Sequence, residues 1–238
     1  MKLSLRIEEI CKEISNGESI ADIGTDHGYV PIILIKNKII SKCIMGDISA
    51  DSLKKAKNNF KLYDIDTERC DFRIGDGLDI LKPYEVDTII IGGLGGKTIK
   101  KILEKDLEKT ETYKKLILQP RNNIGVLRWW LNKEGYENHI NKLVQEGNFI
   151  CDILVAKKNF RMEKKIFKPD GIEWEFPENI LNNDSNIVKK KIEYKLNKLN
   201  IRKDNLLRSN EDQVRKIKKI ESDKKYLNRL LDKMNCIK

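Results

Sequence analysis

Residues 19–29 read SIADIGTDHGY. The first six form a short apolar run that ends in glycine, the pattern of a buried strand stopping in a tight turn. A dinucleotide-binding turn, G-x-G-x-x-G, would set glycines at 24, 26 and 29. The chain has Gly24, Asp26 and Tyr29 there, so an ordinary nicotinamide fold fits poorly. What the stretch does contain is acid-x-Gly-x-x-x-Gly, carried by Asp22, Gly24 and Gly28. Gly24 lets the backbone pass closely beneath a ligand. The Asp22 carboxylate suits an ammonium group, directly or through water.

Strands and helices alternate outward from this turn. Residues 5–14 place Leu5, Ile7, Ile10 and Ile14 at helical spacing, and a second helix starts at Tyr29. Further strands are expected at 42–47, 70–76, 86–93 and 114–120. Helices are expected at 49–63, with Ser49 as N-cap and Leu53, Ala56 and Phe60 on one face, at 97–107, and at 123–135, ended by Gly135. Two alternating stretches, 136–144 and 149–158, close the region around the turn QEGN. Strand–helix alternation predicts a parallel sheet covered on both faces, and a short turn joins only antiparallel strands. The expectation is an α/β, doubly wound, seven-stranded and mostly parallel sheet ending in an antiparallel hairpin. That is the layout of Rossmann-like methyltransferases.

Two more acids sit at the carboxyl ends of successive strands. Asp47, followed by Ile48, can accept both hydroxyls of a ribose. Asp76, in Gly75-Asp76-Gly77, can accept from an adenine amino group. Singly, each acid is better explained as a helix cap or turn former than as a ligand. In this order, with Asp22-x-Gly24-x-x-x-Gly28, they read as a site for S-adenosylmethionine (SAM).

The fourth strand runs into IIIGGLGGKT (89–98). A phosphate loop, G-x-x-x-x-G-K-[ST], would need glycine at position 91, which is Ile91. The stretch therefore does not indicate an ATPase or kinase. Methyltransferases acting on exocyclic amines usually carry [DN]-P-P-[YFW] here, and carbon-5 pyrimidine enzymes need a cysteine; neither is present. The glycines from Gly92 onward suit a flat base approaching the backbone and a target needing no covalent catalyst, such as a ring nitrogen.

Composition narrows the partner. The chain has 238 residues, 35% charged and 39% hydrophobic, with a formal net charge of +10. Residues 159–238 hold 21 Lys+Arg against 13 Asp+Glu, and residues 1–158 hold 26 against 24. Basic excess in the last third points to a polyanion, nucleic acid first, with a solvated lysine-rich surface as the plain alternative. Five scattered cysteines without C-x-x-C, and two histidines, give no expectation of a metal site and suit a reducing cytoplasm. No apolar run approaches the roughly 18 residues of a membrane span, and the N-terminus does not read as a signal peptide.

Three regions are expected: a catalytic domain at 1–158, a packed connector at 159–184 with Phe167, Trp174 and Phe176, and a two-helix coiled-coil hairpin at 185–238. Ile192, Leu196, Leu199 and Leu206, then Val214, Ile217, Ile220, Leu227, Leu230 and Met234, supply the helical spacing. Ser209 and Asp212 read as a capping box between the helices.

With these pieces in place, the chain resembles the bacterial tRNA (adenine(22)-N1)-methyltransferases. The matching stretches are LSLRIEEI, ADIGTDHGYVP, GDI, GDGLDIL, IGGLGG, LILQP followed by LRWWL, EGYE and IEWEF, followed by a helical hairpin. The family more often has Ala-Gly-Met-Gly-Gly where this chain has Gly92-Gly93-Leu94-Gly95-Gly96, and Asn where this chain has Arg121. The resemblance implies a cytoplasmic enzyme that moves the SAM methyl to N1 of a D-arm adenine, with the basic hairpin helping to grip tRNA. A monomer without metal or membrane partner is expected.

The implied SAM-binding set is Asp22, Gly24, Gly28, Asp47, Ile48, Asp76, Gly77 and Gly92. Asp26 is expected to favour charge developing on the base, with His27 and Tyr29 lining the mouth and stacking. Turn filling is the plain alternative for His27. Arg6 is expected to cover the SAM carboxylate or to contact a tRNA phosphate, unless it is a surface arginine. Gln119, Pro120 and Asn122 are placed at the substrate, although Gln119 could serve only as a strand-end hydrogen bond. Trp129 and Trp130 are expected to pack. Another RNA substrate, or a catalytically silent SAM-fold RNA-binding module, are the alternatives.

Overall fold

Ile20–Ile23 (β1) is buried along its whole length, flanked by parallel neighbours on both sides. In this computed structural model, which describes residues 4–163, 167–208 and 213–236, the strands Cys43–Asp47 (β2), Cys70–Ile74 (β3), Thr88–Gly92 (β4), Lys115–Gln119 (β5), Tyr136–Glu146 (β6) and Phe149–Lys158 (β7) complete one sheet. Its order is β3-β2-β1-β4-β5-β7-β6. The first five strands are parallel, and β7 and β6 are antiparallel to their neighbours. Strand order reverses between β1 and β4, which opens a crevice at the carboxyl ends of the strands.

Helices Leu5–Lys12 (α1), Tyr29–Lys36 (α2), Ala50–Leu62 (α3), Gly96–Glu104 (α4), Leu107–Thr110 (α5) and Ile124–Lys133 (α6) cover the sheet. Ser49 caps α3, and Leu53, Ala56 and Phe60 are its buried face. The single helix expected at 97–107 is two. The Asp106 side chain accepts from the Lys109 N–H (3.0 Å) and starts α5 afresh. β6 runs on to Glu146, so the turn is the two residues Gly147 and Asn148, with Gly147 at φ 56°. β7 pairs with β5 only from Leu154 to Ala156, so the hairpin tip projects past the carboxyl end of β5.

A third apolar cluster lies beyond β6. The connector supplies Ile172–Glu175 (α7) and buries Ile172, Trp174, Phe176 and Ile180. Helices Ser185–Leu207 (α8) and Val214–Cys236 (α9) add Val188, Ile192, Leu199, Ile220, Leu227 and Leu230. Each helix is about 35 Å long at 1.5 Å per residue. The Lys203–Glu221 ion pair (2.7 Å) joins the end of α8 to the start of α9, which fixes them as antiparallel. Ser209 and Asp212 lie outside the described residues. No described helix is long and apolar enough to cross a membrane.

One charged cluster ties these helices to the sheet. Asp152 of β7 is buried between Arg128 of α6 (2.9 Å) and Lys191 of α8. Arg128 also donates to the backbone carbonyls of Trp174 (3.0 Å) and Glu175 (2.9 Å). Burial would raise the Asp152 carboxyl, but the charges of Lys191 and Arg128 more than offset it and hold it below its ordinary range. Removing one member of such a group strands the others in a dry interior. Asp152→Ala should therefore lower stability by about 3–5 kcal/mol. The check is the shift in urea midpoint at constant m-value.

Candidate active site

The loop after β1 is built from backbone contacts. Gly24 and Gly28 have φ of 74° and 66°, a conformation that only glycine adopts at little cost. The Gly24 N–H donates to the Gly46 carbonyl (2.8 Å), and the Gly28 N–H to the Thr25 hydroxyl (3.2 Å). A Cβ at Gly28 would stand 2.6 Å from the Met45 methyl and 3.4 Å from the Ala56 Cβ, so this glycine also lets α2 settle against β2 and α3.

Asp22 is 9% exposed at the base of this loop. Burial pushes its carboxyl up to about 6. The Thr25 hydrogen bond works against that rise, and the nearby charge of Asp47 adds to it. The Asp47 carboxylate accepts from the Ser49 N–H (2.7 Å). Ile48, next in the chain, is 75% exposed, an apolar face beside a carboxylate. Asp76 is more open, with Lys105 at 3.4 Å, and Gly77 follows at φ 56°. A Cβ at Gly77 would meet Ile102 at 2.8 Å. The three acids thus follow the carboxyl ends of β1, β2 and β3, with Asp22 buried, Ile48 exposed beside Asp47, and Asp76 paired with Lys105 at the outer edge.

The glycines after β4 have separate uses. Gly93 turns the chain at φ 77°, and its N–H donates to the Gln119 carbonyl and to the Gln119 side-chain oxygen, both at 3.0 Å. A Cβ at Gly96 would lie 2.5 Å from the Asn123 carbonyl and 2.8 Å from that of Asn122. Gly96 is therefore the seam between the loops after β4 and β5, sealed by Gly96 N–H to Asn122 carbonyl (2.9 Å) and Arg121 N–H to Leu94 carbonyl (2.8 Å). A Cβ at Gly24 would stand 3.4 Å from Leu94, so the loops after β1 and β4 meet there.

Around the mouth, the Asp26 carboxylate bridges His27 Nε2 (3.1 Å) and Lys55 Nζ (3.1 Å). The His27 ring stacks on Tyr29 at 5.3 Å and 16°. The His27 carbonyl accepts from the Asn59 side chain (2.9 Å). Asp26 and His27 are about half exposed, so the stacked pair forms an open flat surface. Gln119 is 2% exposed and makes a strand-end hydrogen bond, its oxygen shared by Gly93 and by Arg6 Nη1 (2.7 Å). Arg6 Nε also faces Glu146 at 3.3 Å. Pro120 is buried, and the Asn122 side chain accepts from Asn123 (2.7 Å). Trp130 packs at 2% exposure.

Leu94, Glu146, Thr25 and Lys55 were not singled out by sequence. Leu94 sits inside a motif read only for its glycines. Glu146 reaches Arg6 because the hairpin projects past β5, and no local pattern announces that.

The description "Methyltransferase domain" belongs to the family whose model matches residues 3–154. The tRNA (adenine(22)-N(1))-methyltransferase of Bacillus subtilis (strain 168) is 35% identical over 161 residues, 68% of this chain and 67% of that protein. The chain belongs to the tRNA (adenine(22)-N1)-methyltransferase family. A Streptococcus pneumoniae structure, described as a putative tRNA (m1A22) methyltransferase, superposes with a TM-score of 0.84 at 25% identity, covering 96% of this chain and 99% of the other. The crystal structure of the B. subtilis m1A22 tRNA methyltransferase gives 0.79 at 27% identity, with 96% and 98% covered. At that coverage the family likeness includes α8 and α9.

The Asp22 carboxyl yields a signed prediction. Its value of about 6 lies above the ordinary 3.8, so folding favours the neutral form more than the unfolded chain does. Its contribution to stability is present below about pH 4 and is lost as pH rises through about 6. Asp22→Asn should match the parent at pH 3.5 and exceed it by up to about 3 kcal/mol at pH 7.5. Thermal unfolding of both proteins across that range is the check, and a difference that does not grow with pH contradicts it.

Proposed function

We propose that this chain transfers the methyl group of S-adenosylmethionine to N1 of adenine 22 in the D-arm of tRNA. The observation that carries the reading is the crevice itself, with buried Asp22, Asp47 beside bare Ile48, and Asp76 in succession. That donor set fits an ammonium, a ribose diol and an adenine. Asp22 is assigned to the ammonium, Asp47 to the ribose hydroxyls, Ile48 to the adenine face and Asp76 to the adenine amino group. Gly24, Gly28, Gly77 and Gly92 let the backbone lie close. SAM supplies an electrophilic methyl on a sulfonium.

The acceptor nitrogen has its own lone pair once unpaired from its partner, so no strong base is needed to begin. What the chain must do is hold the base in line. Near-attack positioning of this kind is worth roughly 7–11 kcal/mol of a barrier. The stacked His27–Tyr29 surface is assigned to the extruded base, at about 1–3 kcal/mol per stacked ring. Asp26 holds the imidazole and places a carboxylate near a base that becomes cationic on methylation. Gln119 fixes Gly93, and Arg6 with Glu146 holds Gln119, so these three set the floor rather than touch the base. Extruding the adenine costs a few kcal/mol, drawn from the binding of the rest of the RNA.

The direct experiment is nucleoside analysis of unmodified tRNA transcripts after incubation with protein and labelled SAM. The expected product is 1-methyladenosine, abolished by changing adenine 22 to guanine. Label at another position, or none, contradicts the substrate.

The helical pair is assigned to the tRNA backbone. Lys216, Lys218 and Lys225 are exposed on α9. Replacing all three with alanine should flatten the dependence of log Kd on log salt by up to about 3, as fewer phosphates are neutralised, while leaving SAM affinity unchanged. An unaltered slope would sink this assignment.

A further inference from the structure

Arg121 is presented by a loop with little backbone freedom. Pro120 precedes it, and its own N–H donates to the Leu94 carbonyl (2.8 Å). The next carbonyl, that of Asn122, accepts from the Gly96 N–H (2.9 Å). Asn123 then turns the chain at φ 50°, a left-handed backbone that costs any residue but glycine. The Arg121 side chain is exposed, and its guanidinium makes neither an ion pair nor a hydrogen bond with any described residue. A Cβ on Gly93 would stand 3.8 Å from Arg121 Nη2 and 3.9 Å from Arg121 Nε, so the guanidinium lies against the bare face of that glycine. Gly93 directly follows β4 and is pinned by Gln119 at the carboxyl end of β5. A cation without a partner among the described residues therefore overhangs the floor assigned to the acceptor base.

The charge selects what belongs beside it. A cation here favours an anion and disfavours a second cation. An adenine ring becomes cationic when N1 is methylated, so the guanidinium is unsuited to the ring itself. Two anions remain: the carboxylate of SAM, and the phosphates that flank the extruded nucleotide. Leu94 divides them. Its side chain faces the Gly24 turn, 3.4 Å from where a Cβ would stand, while its carbonyl takes the Arg121 N–H. Arg121 thus lies on the β5 side of Leu94, away from the turn assigned to the methyl donor. The planar guanidinium matches two phosphate oxygens, and a phosphate gripped next to an extruded base limits how far that base can swing out of line.

We propose that Arg121 binds a phosphate adjoining the target adenosine and so positions the adenine over Gly93. The proposal rests on the tRNA reading above and adds the contact that holds the nucleotide there.

The test uses the full-length protein, SAM and tRNA carrying one methylphosphonate linkage, placed either 5′ or 3′ to adenine 22. This linkage keeps the shape of a phosphate and removes its charge. In the parent, one of the two should lower kcat/KM about 10-fold. Arg121→Ala should lower kcat/KM on all-phosphate tRNA by a similar factor. The sensitive linkage should then cost that variant less than about twofold, because both changes remove one and the same contact. Arg121→Lys should recover part of the loss through its point charge. SAM affinity should stay within about twofold in both variants. So should kcat/KM in Lys36→Ala, which removes one charge at the last residue of α2. The assignment is overturned if Arg121→Ala leaves kcat/KM unchanged, if neither linkage affects the parent, or if the linkage costs the variant as much as the parent. It is also overturned if SAM affinity falls at unchanged melting temperature, which would put the guanidinium on the SAM carboxylate. A parent that forms no 1-methyladenosine sinks the tRNA reading and this contact with it; an active parent indifferent to Arg121 sinks the contact alone.

Discussion

Asp152 is the joint on which the molecule's working geometry depends. It lies on the penultimate strand in spatial order, yet it answers a cation from the sheet's own helix layer and another from α8. Apolar packing alone would let a helical pair slide on β6, since dispersion contacts have little directional preference. A buried carboxylate held from both sides does not slide, because any displacement leaves a charge without its partner. The Arg128 bonds to the Trp174 and Glu175 carbonyls extend the same constraint to the connector. Under the proposed reading, gripping a folded RNA at one place and acting on one nitrogen at another needs this fixed span.

The crevice is organised by close backbone approach. Gly28, Gly96 and Gly77 each sit where a single added carbon would strike a neighbour at 2.8 Å or less. Their effect is to draw α2, α4 and the loop after β5 toward the ends of the central strands. The charged and aromatic side chains are carried in by that packing, and are locked by small local bonds: Asp47 by Ser49, His27 by Asp26, Gln119 by Gly93. Arg6 shows how far such locking extends, since α1 reaches across to β5 and to the hairpin tip through one guanidinium.

Much of this was legible in the chain. The seven strands, the antiparallel closing pair and the acids at successive strand ends follow from apolar runs, turn residues and spacing, all of which are local. The Ser49 cap and the Leu53, Ala56, Phe60 face are local too, and so they read correctly. The break between α4 and α5 did not, because apolar spacing continues through it and the deciding bond is a single Asp106 carboxylate. Gln119 shows the other limit. A glutamine at a strand end looks available to a ligand until the Gly93 N–H and Arg6, distant in sequence, occupy its oxygen. The Asp152 cluster joins residues 24 and 39 positions apart, and sequence alone offered no sign that these charges would be buried together.

The contact between Leu94 and the Gly24 turn has a bearing on how such an enzyme can change over generations. Leu94 belongs to the loop assigned to the acceptor base, and Gly24 to the loop assigned to the methyl donor. A bulkier residue at 94 would press on a turn that has no slack at Gly28, and a smaller one would leave a void beneath it. Altering which base is accepted through this loop therefore disturbs donor binding in the same step. Drift in substrate preference has to come from Arg121 or the distant helices, where one loop can vary without the other.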